Sequence, residues 1–218
     1  MAKRPHEIES AKGRARAKRQ FDWQDHDLLR RRWHNFETVA PGVYRSNQPS
    51  ATRFADYAEM GIKTILNLRG ALDEPFYLFE QEACDALGLE IVSIGLSARK
   101  APRKDRLLKL VDVFETIERP FLIHCKSGAD RTGLAAALYL LQYSDADDDT
   151  LRAQLSFRYL HIRKSSTGIL DFVLETYLAR RQQSPIKLRD WVVAEYDRDQ
   201  MMAAYAEMKT KQKLWQGW

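Results

Sequence analysis

Cysteine is scarce in this sequence. Only Cys84 and Cys125 occur among 218 residues, which excludes a disulfide scaffold and leaves no cysteine cluster for zinc. Long apolar runs are missing too. The longest, Gly133 to Leu141, falls far short of the roughly 20 residues that span a bilayer. The N-terminus is basic but lacks the apolar stretch of a secretory signal. With 7 prolines and 10 glycines there is no low-complexity linker, and no internal repeat is visible. A reducing, cytoplasmic setting is expected, at most peripheral to the inner face of a membrane.

What is present is enough apolar residue, 44%, to bury a core, with 30% charged residues to keep it soluble. A chain of this length is expected to form one good-sized domain with appended helical pieces. Lys plus Arg exceed Asp plus Glu by 35 to 30. Lys3, Arg4, Lys12, Arg14, Arg16, Lys18 and Arg19, against Glu7 and Glu9, account for that whole excess. Residues 1–20 therefore read as a basic flexible arm. Residues 21–36 read as an amphipathic helix, because Trp23, Leu29, Trp33 and Phe36 recur at helical spacing beside Arg30, Arg31 and Arg32. Aromatics of that kind pack on a domain or lie at a lipid interface. No nucleic-acid-binding module accompanies the arm, so nucleic acid is not an expected partner.

From residue 37 strands and helices alternate. Val43 and its neighbours form a short edge strand, Ser50 caps a helix reaching Met60, and Lys63 to Leu68 is a buried strand. A helix from Glu74 to Leu87 stops at Gly88, Glu90 to Leu96 is the next strand, and Arg103 to Glu118 is an amphipathic helix. Pro120 to His124 is an apolar strand, and helices follow over about 131–143, 147–158, 167–183 and 188–212. This order predicts a three-layer α/β fold, a central and mostly parallel sheet between helices. This α/β domain would occupy 37–183, with a helical extension over 184–218.

The segment that carries chemistry is His124-Cys125-Lys126-Ser127-Gly128-Ala129-Asp130-Arg131-Thr132-Gly133. It follows a buried strand and runs into an apolar helix. Such a turn can wrap the backbone N–H groups of Lys126, Ser127, Gly128, Ala129, Asp130 and Arg131 around one anion. The same groups and the helix dipole favour a thiolate on Cys125, a nucleophile. Arg131 supplies two parallel donors to phosphoryl oxygens, a fork that lysine lacks. Gly128 permits a backbone geometry closed to other residues. Thr132 places a hydroxyl within reach of the Cys125 sulfur. His124 orients the loop.

These residues resemble the cysteine-dependent phosphatases of the protein tyrosine phosphatase superfamily, particularly the compact dual-specificity type. Tyr44-Arg45-Ser46-Asn47-Gln48-Pro49 and Gly61-Ile62-Lys63-Thr64-Ile65-Leu66-Asn67-Leu68 are similar to the opening strands of bacterial and fungal members, so the resemblance covers about residues 40–180. It implies a phosphocysteine intermediate at Cys125, phosphate binding by Arg131, no metal and no cofactor.

One feature departs from that family. Its general-acid Asp commonly stands just after the strand ending here at Leu96, where this chain has Ser97-Ala98-Arg99-Lys100-Ala101-Pro102-Arg103-Lys104-Asp105. Two acids stay open, Asp130 inside the loop, as in some lipid-directed members, and Asp105. The substrate stays open as well. A phosphorylated protein is one reading; an anionic phospholipid, with peripheral membrane contact through the basic N-terminus, is the other, because Lys126 after the nucleophile resembles phosphoinositide phosphatases. Cys84 reads as a buried core thiol or a resolving partner for Cys125.

Overall fold

The apolar run Phe121-Leu122-Ile123-His124 forms a strand buried along its whole length, as a central strand covered on both faces must be. It is the fifth strand, β5, in a computed structural model that describes residues 8–25, 30 and 32–215. The others are β1 (Glu37–Ala40), β2 (Val43–Ser46), β3 (Thr64–Asn67) and β4 (Glu90–Ser93). Their order is β1-β2-β5-β3-β4, with β1 antiparallel to β2 and the remaining pairs parallel. Ser46 and Asn67 both pair with His124. Three strands thus end at one level, the carboxyl edge where α/β sheets place their ligand sites.

By contact the chain divides into two compact units, one of residues up to Gly95 with Ile117–Gly128, the other of Leu96–Thr116 with the chain from Ala129 onward. The first unit holds the sheet and the helices α1 (Ala11–Arg19), α2 (Ala51–Glu59) and α3 (Pro75–Leu87). Phe54, Tyr57, Ile62, Ile65, Cys84, Leu89 and Leu122 make one buried cluster. Phe36 stacks on Tyr44 and Tyr57 at ring distances of 5.7 and 5.0 Å.

The second unit is helical: α4 (Lys104–Thr116), α5 (Asp130–Tyr143), α6 (Asp148–Ala153), α7 (Ile169–Gln183), α8 (Leu188–Ala194) and α9 (Arg198–Trp215). Helix α5 is buried continuously from Thr132 to Leu140, so the longest apolar run of the sequence becomes the core helix of its unit. Gly133 allows this closeness: a Cβ there would lie 2.4 Å from the Gln154 carbonyl oxygen. Phe114 meets Tyr139 edge to face at 5.3 Å, and Trp191 packs against Tyr177 and Tyr196.

Several expectations are revised. Residues 11–19 are not a flexible arm but a helix, because the Ser10 hydroxyl caps the Gly13 N–H and Ala17 and Phe21 are buried. No single helix runs over 21–36: Gln20–Gln24 is π-helical, residues 33–36 have no regular secondary structure, and residues 26–29 and 31 lie outside the described residues. The strand at Val43 is internal, since β1 takes the edge. The last expected helix breaks at residues 195–197, where the Tyr196 hydroxyl turns inward to the Pro102 carbonyl. Among the described residues no helix is long and apolar enough to cross a membrane.

Candidate active site

The loop that follows β5 is held by its carbonyls. The Lys126 carbonyl accepts from the Gln48 N–H at 3.2 Å, that of Ser127 from the Asn35 side-chain amide at 2.9 Å, and that of Gly128 from Arg45 at 2.8 Å. In a trans peptide each carbonyl opposes the N–H of the next residue. Binding three successive carbonyls to the surrounding scaffold therefore turns the N–H groups of Ser127, Gly128 and Ala129 the other way, the arrangement that receives an anion.

Gly128 is obligatory. Its φ is +70°, and a Cβ would lie 2.7 Å from the Asn47 nitrogen and the Ser46 carbonyl. The scaffold behind the loop is itself braced, for Arg53 donates to the Asn47 side-chain oxygen and to the Gln48 carbonyl, both at 2.6 Å, while the Asn47 amide donates to the Trp33 carbonyl. The buried Arg45 and Arg53 thus have structural work within this loop support.

A second buried network fixes the strand end. Glu80 of α3 accepts from His124 Nε2 at 2.9 Å, from Gln48 Nε2 at 2.8 Å and from Asn67 Nδ2 at 3.4 Å. A carboxylate only accepts, so His124 carries its hydrogen on Nε2. Its Nδ1 meets the Cys125 carbonyl at 3.4 Å, so both ring nitrogens are engaged and the ring is held in place beside the loop.

Cys125 is buried, with 1% of its surface exposed, at the start of this loop. Arg131 stands in the first turn of α5 and donates from Nη1 to the Leu96 carbonyl at 3.4 Å. Thr132 is fully buried, and among the described residues its hydroxyl has no hydrogen-bond partner. Lys126 is partly exposed and lies 3.5 Å from Asp25. That carboxylate also receives Arg69 at 2.6 Å and Arg30 at 2.8 Å. Burial works against ionising Asp25, yet the Arg69 hydrogen bond and the charges of Arg69, Arg30 and Lys126 hold its carboxyl below the usual range. Burial and the two arginines press the Lys126 amine downward, and Asp25 partly restores it.

The two candidate acids sit differently. Asp105 is exposed in the first turn of α4, and its hydrogen bond from Arg103 holds its carboxyl below the usual range. The loop before it is pinned, with Ala101 and Pro102 carbonyls accepting from Arg198 at 3.1 Å and Tyr196 at 2.6 Å. Asp130 opens α5, and its Oδ1 meets His161 Nδ1 at 2.7 Å. Cys84 is a core thiol: burial, helped by Glu80 and Asp85, pushes it well above the ordinary thiol range. A groove of about 860 Å³ near Arg14, Phe21, Phe79 and Glu82 contains none of residues 124–133.

Asn35, Glu80, Asp25 and His161 carry no motif of their own in the sequence. Only Gln48 and Arg45 stood in a segment singled out there, and a buried arginine in a strand pattern was the available signal.

A family model described as DSP-PTPase phosphatase fused to NAD+ kinase matches residues 32–167, a span that includes the loop, its anchors and His161. The chain is 32% identical over 104 residues to inositol diphosphatase DSP1 of Oryza sativa subsp. japonica, covering 45% of this chain and 46% of that protein. It is 30% identical over 104 residues to inositol diphosphatase DSP4 of Arabidopsis thaliana, covering 45% and 51%. It thus spans about half the length of the curated relatives it matches. Its backbone is similar to the core catalytic domain of the PP-IP phosphatase Siw14 from S. cerevisiae in complex with citrate, with TM-score 0.52, 21% identity, and 70% and 96% of the two chains covered. A Cys-to-Ser variant of P. aeruginosa TpbA in complex with pTyr gives TM-score 0.50, 21% identity, and 66% and 90% coverage. These likenesses establish the mostly parallel α/β fold expected from the sequence.

Proposed function

The chain belongs to the family of the DSP-PTPase phosphatase fused to NAD+ kinase, matched over residues 32–167, and on that premise we propose that it hydrolyses phosphate monoesters through a phosphocysteine on Cys125. The observation that carries this reading is the loop whose Lys126, Ser127 and Gly128 carbonyls are bound to the scaffold. That arrangement presents N–H groups to a phosphate before any substrate arrives, and such donors stabilise charge without reorganisation.

In the first step the Cys125 thiolate attacks phosphorus, the bond to the leaving oxygen breaks, and that oxygen takes a proton. The Asp130–His161 pair supplies the proton in this scheme, the His161 hydrogen passing to the leaving oxygen through Asp130. Its carboxylate shares a hydrogen with His161, so the pair holds a proton beside the loop. Arg131 forks onto two phosphoryl oxygens, more tightly as charge develops. In the second step water attacks phosphorus, its proton returns to the pair, and the S–P bond breaks to regenerate the thiolate. Thr132, whose buried hydroxyl has no hydrogen-bond partner among the described residues, is assigned in this scheme to that sulfur as it leaves. A reducing, cytoplasmic setting suits a nucleophile that must remain a thiol.

The substrate read from the site is a phosphorylated molecule with additional negative charge near Lys126, first a phosphoprotein. The test is phosphate release from a phosphotyrosine peptide, an inositol diphosphate and a phosphatidylinositol phosphate. Wild type should release phosphate in EDTA and be blocked by vanadate; Cys125→Ser should release none while still binding the anion. Turnover by Cys125→Ser, or activity that needs an added divalent metal, excludes the covalent scheme.

A further inference from the structure

His161 is fully buried in its side chain and touches two carboxylates: Nδ1 lies 2.7 Å from Asp130 Oδ1 and Nε2 lies 2.6 Å from Asp171 Oδ2. Carboxylates only accept hydrogen bonds, so both ring nitrogens carry hydrogens and the ring is an imidazolium. One of those carboxylates belongs to the phosphate loop, next to Arg131. The other, on α7, lies beyond the matched span of residues 32–167. We propose that His161 is a positioning residue that holds the loop's own carboxylate, Asp130, charge-compensated so that a dianion can bind beside it, and that Asp171 keeps His161 protonated for this purpose.

The electrostatic need is plain. An aspartate adjacent to the phosphate-binding arginine repels the ligand that arginine attracts, and repulsion in a partly dry site is strong. The cation answering it must be fixed and must not compete with the ligand, which a buried imidazolium satisfies. Asp171 in turn is approached by Arg163 at 3.9 Å. Arg163 is also paired with Glu175 at 3.2 Å, and the Tyr205 hydroxyl of α9 feels the Asp171 charge while donating to the Ser165 carbonyl. Among the described residues Arg163 and Tyr205 thus face the Asp171 side of the trio, and Arg131 follows Asp130 in the loop. Burial by itself lowers the basicity of His161; the hydrogen bonds its ring donates to Asp130 and Asp171, and their charges, outweigh it and bring the ring up to about 9. Above that pH the trio gains one negative charge beside the anion site.

The inference rests on the loop being a phosphate site, and the experiment separates the two. Tungstate, a tetrahedral dianion that does not titrate between pH 7 and 10.5, is bound calorimetrically to Cys125→Ser, which removes the thiol's own titration. Affinity should fall at least about fivefold through a midpoint near pH 9. Adding Asp171→Asn, a nearly isosteric change outside the loop, should move that midpoint down by roughly one unit or more. Adding His161→Gln should give weaker binding already at pH 7 and no break near 9. The His161 ring resonances, followed by NMR in Cys125→Ser with and without Asp171→Asn, should titrate at the same two midpoints, and this reading survives even if His161→Gln fails to fold. A break that stays in place in every variant belongs to a group other than His161 and overturns the inference while leaving the phosphate site intact. Absence of tungstate binding at any pH overturns the phosphate site and the inference together.

Discussion

Gly128 shows how little freedom one residue of the loop has. A methyl group there would meet backbone, not a yielding side chain, at 2.7 Å, and its φ of +70° is unfavourable for alanine. Gly128→Ala must therefore shift the loop or the Ser46–Asn47 strand end. It is expected to cost about 1–3 kcal/mol of stability from backbone strain and to lower kcat/KM by about 10² or more, the scale of a 1 Å misplacement. Urea unfolding and steady-state kinetics read the two effects; full activity would mean that the carbonyl anchors do not set the loop. Asp130 makes a separate prediction. If it protonates the leaving oxygen, Asp130→Asn slows an alkyl phosphate far more than an aryl phosphate with an acidic phenol, because a good leaving group hardly needs a proton. Asp105→Asn, on an exposed helix start already paired with Arg103, should behave as wild type. The reverse pattern would hand the proton to Asp105.

At the scale of elements, the N-terminal segment bears on the site through a single side chain. Asp25, at the end of the π-helical turn Gln20–Gln24, gathers Arg30, Arg69 and Lys126. Asp25→Ala leaves three cations without their common carboxylate. It should lower KM about threefold or more for a substrate bearing a second phosphate, with a smaller change for p-nitrophenyl phosphate, and make that difference shrink with salt. Equal KM changes for both substrates would place Lys126 away from the bound ligand. This segment also marks what was legible in the sequence. The buried runs around Ile65 and Leu122, the helix stopping at Gly88 and the Cys125–Arg131 spacing all speak through local pattern, and each formed as read. Helix α1 was hidden because its buried face is only Ala17, with Phe21 just beyond it. The antiparallel β1 was hidden because its four residues alternate weakly and its partner is what makes it a strand. Asn35 and Arg45 reach the loop from 92 and 83 residues away. His161 meets Asp130 across 31 residues. Such contacts leave no period or motif in the chain, so the supports of the loop stayed unseen while the segment from Cys125 to Arg131 stood out by its spacing.

For the molecule as a whole, the buried ion clusters set how stability varies with pH. His161 titrates at about 9 in the fold and at about 6.5 in the unfolded chain. A raised basic group stabilises the fold fully below the unfolded value, and the contribution is lost as pH climbs through the folded one. Asp25 acts at the other end: its carboxyl is held below the usual range, so its contribution is present above about 4 and is lost as pH falls through the folded value. Between these limits, at about pH 4–6.5, both clusters are intact and stability should be greatest. Raising pH from 6 to 9.5 should remove about 2–3 kcal/mol through His161. Lys126, whose amine is lowered by burial, acts with the opposite sign as it deprotonates and trims the loss. Urea unfolding followed by tryptophan fluorescence at half-unit steps gives the curve. Asp171→Asn should end the alkaline decline at lower pH and make it smaller in total, because one of the two carboxylates that hold the His161 proton is gone. A wild-type curve that is flat from pH 6 to 9.5 would show that the ring is no more basic in the fold than in the unfolded chain, and the charge assigned to the Asp130–His161–Asp171 trio would have to be withdrawn.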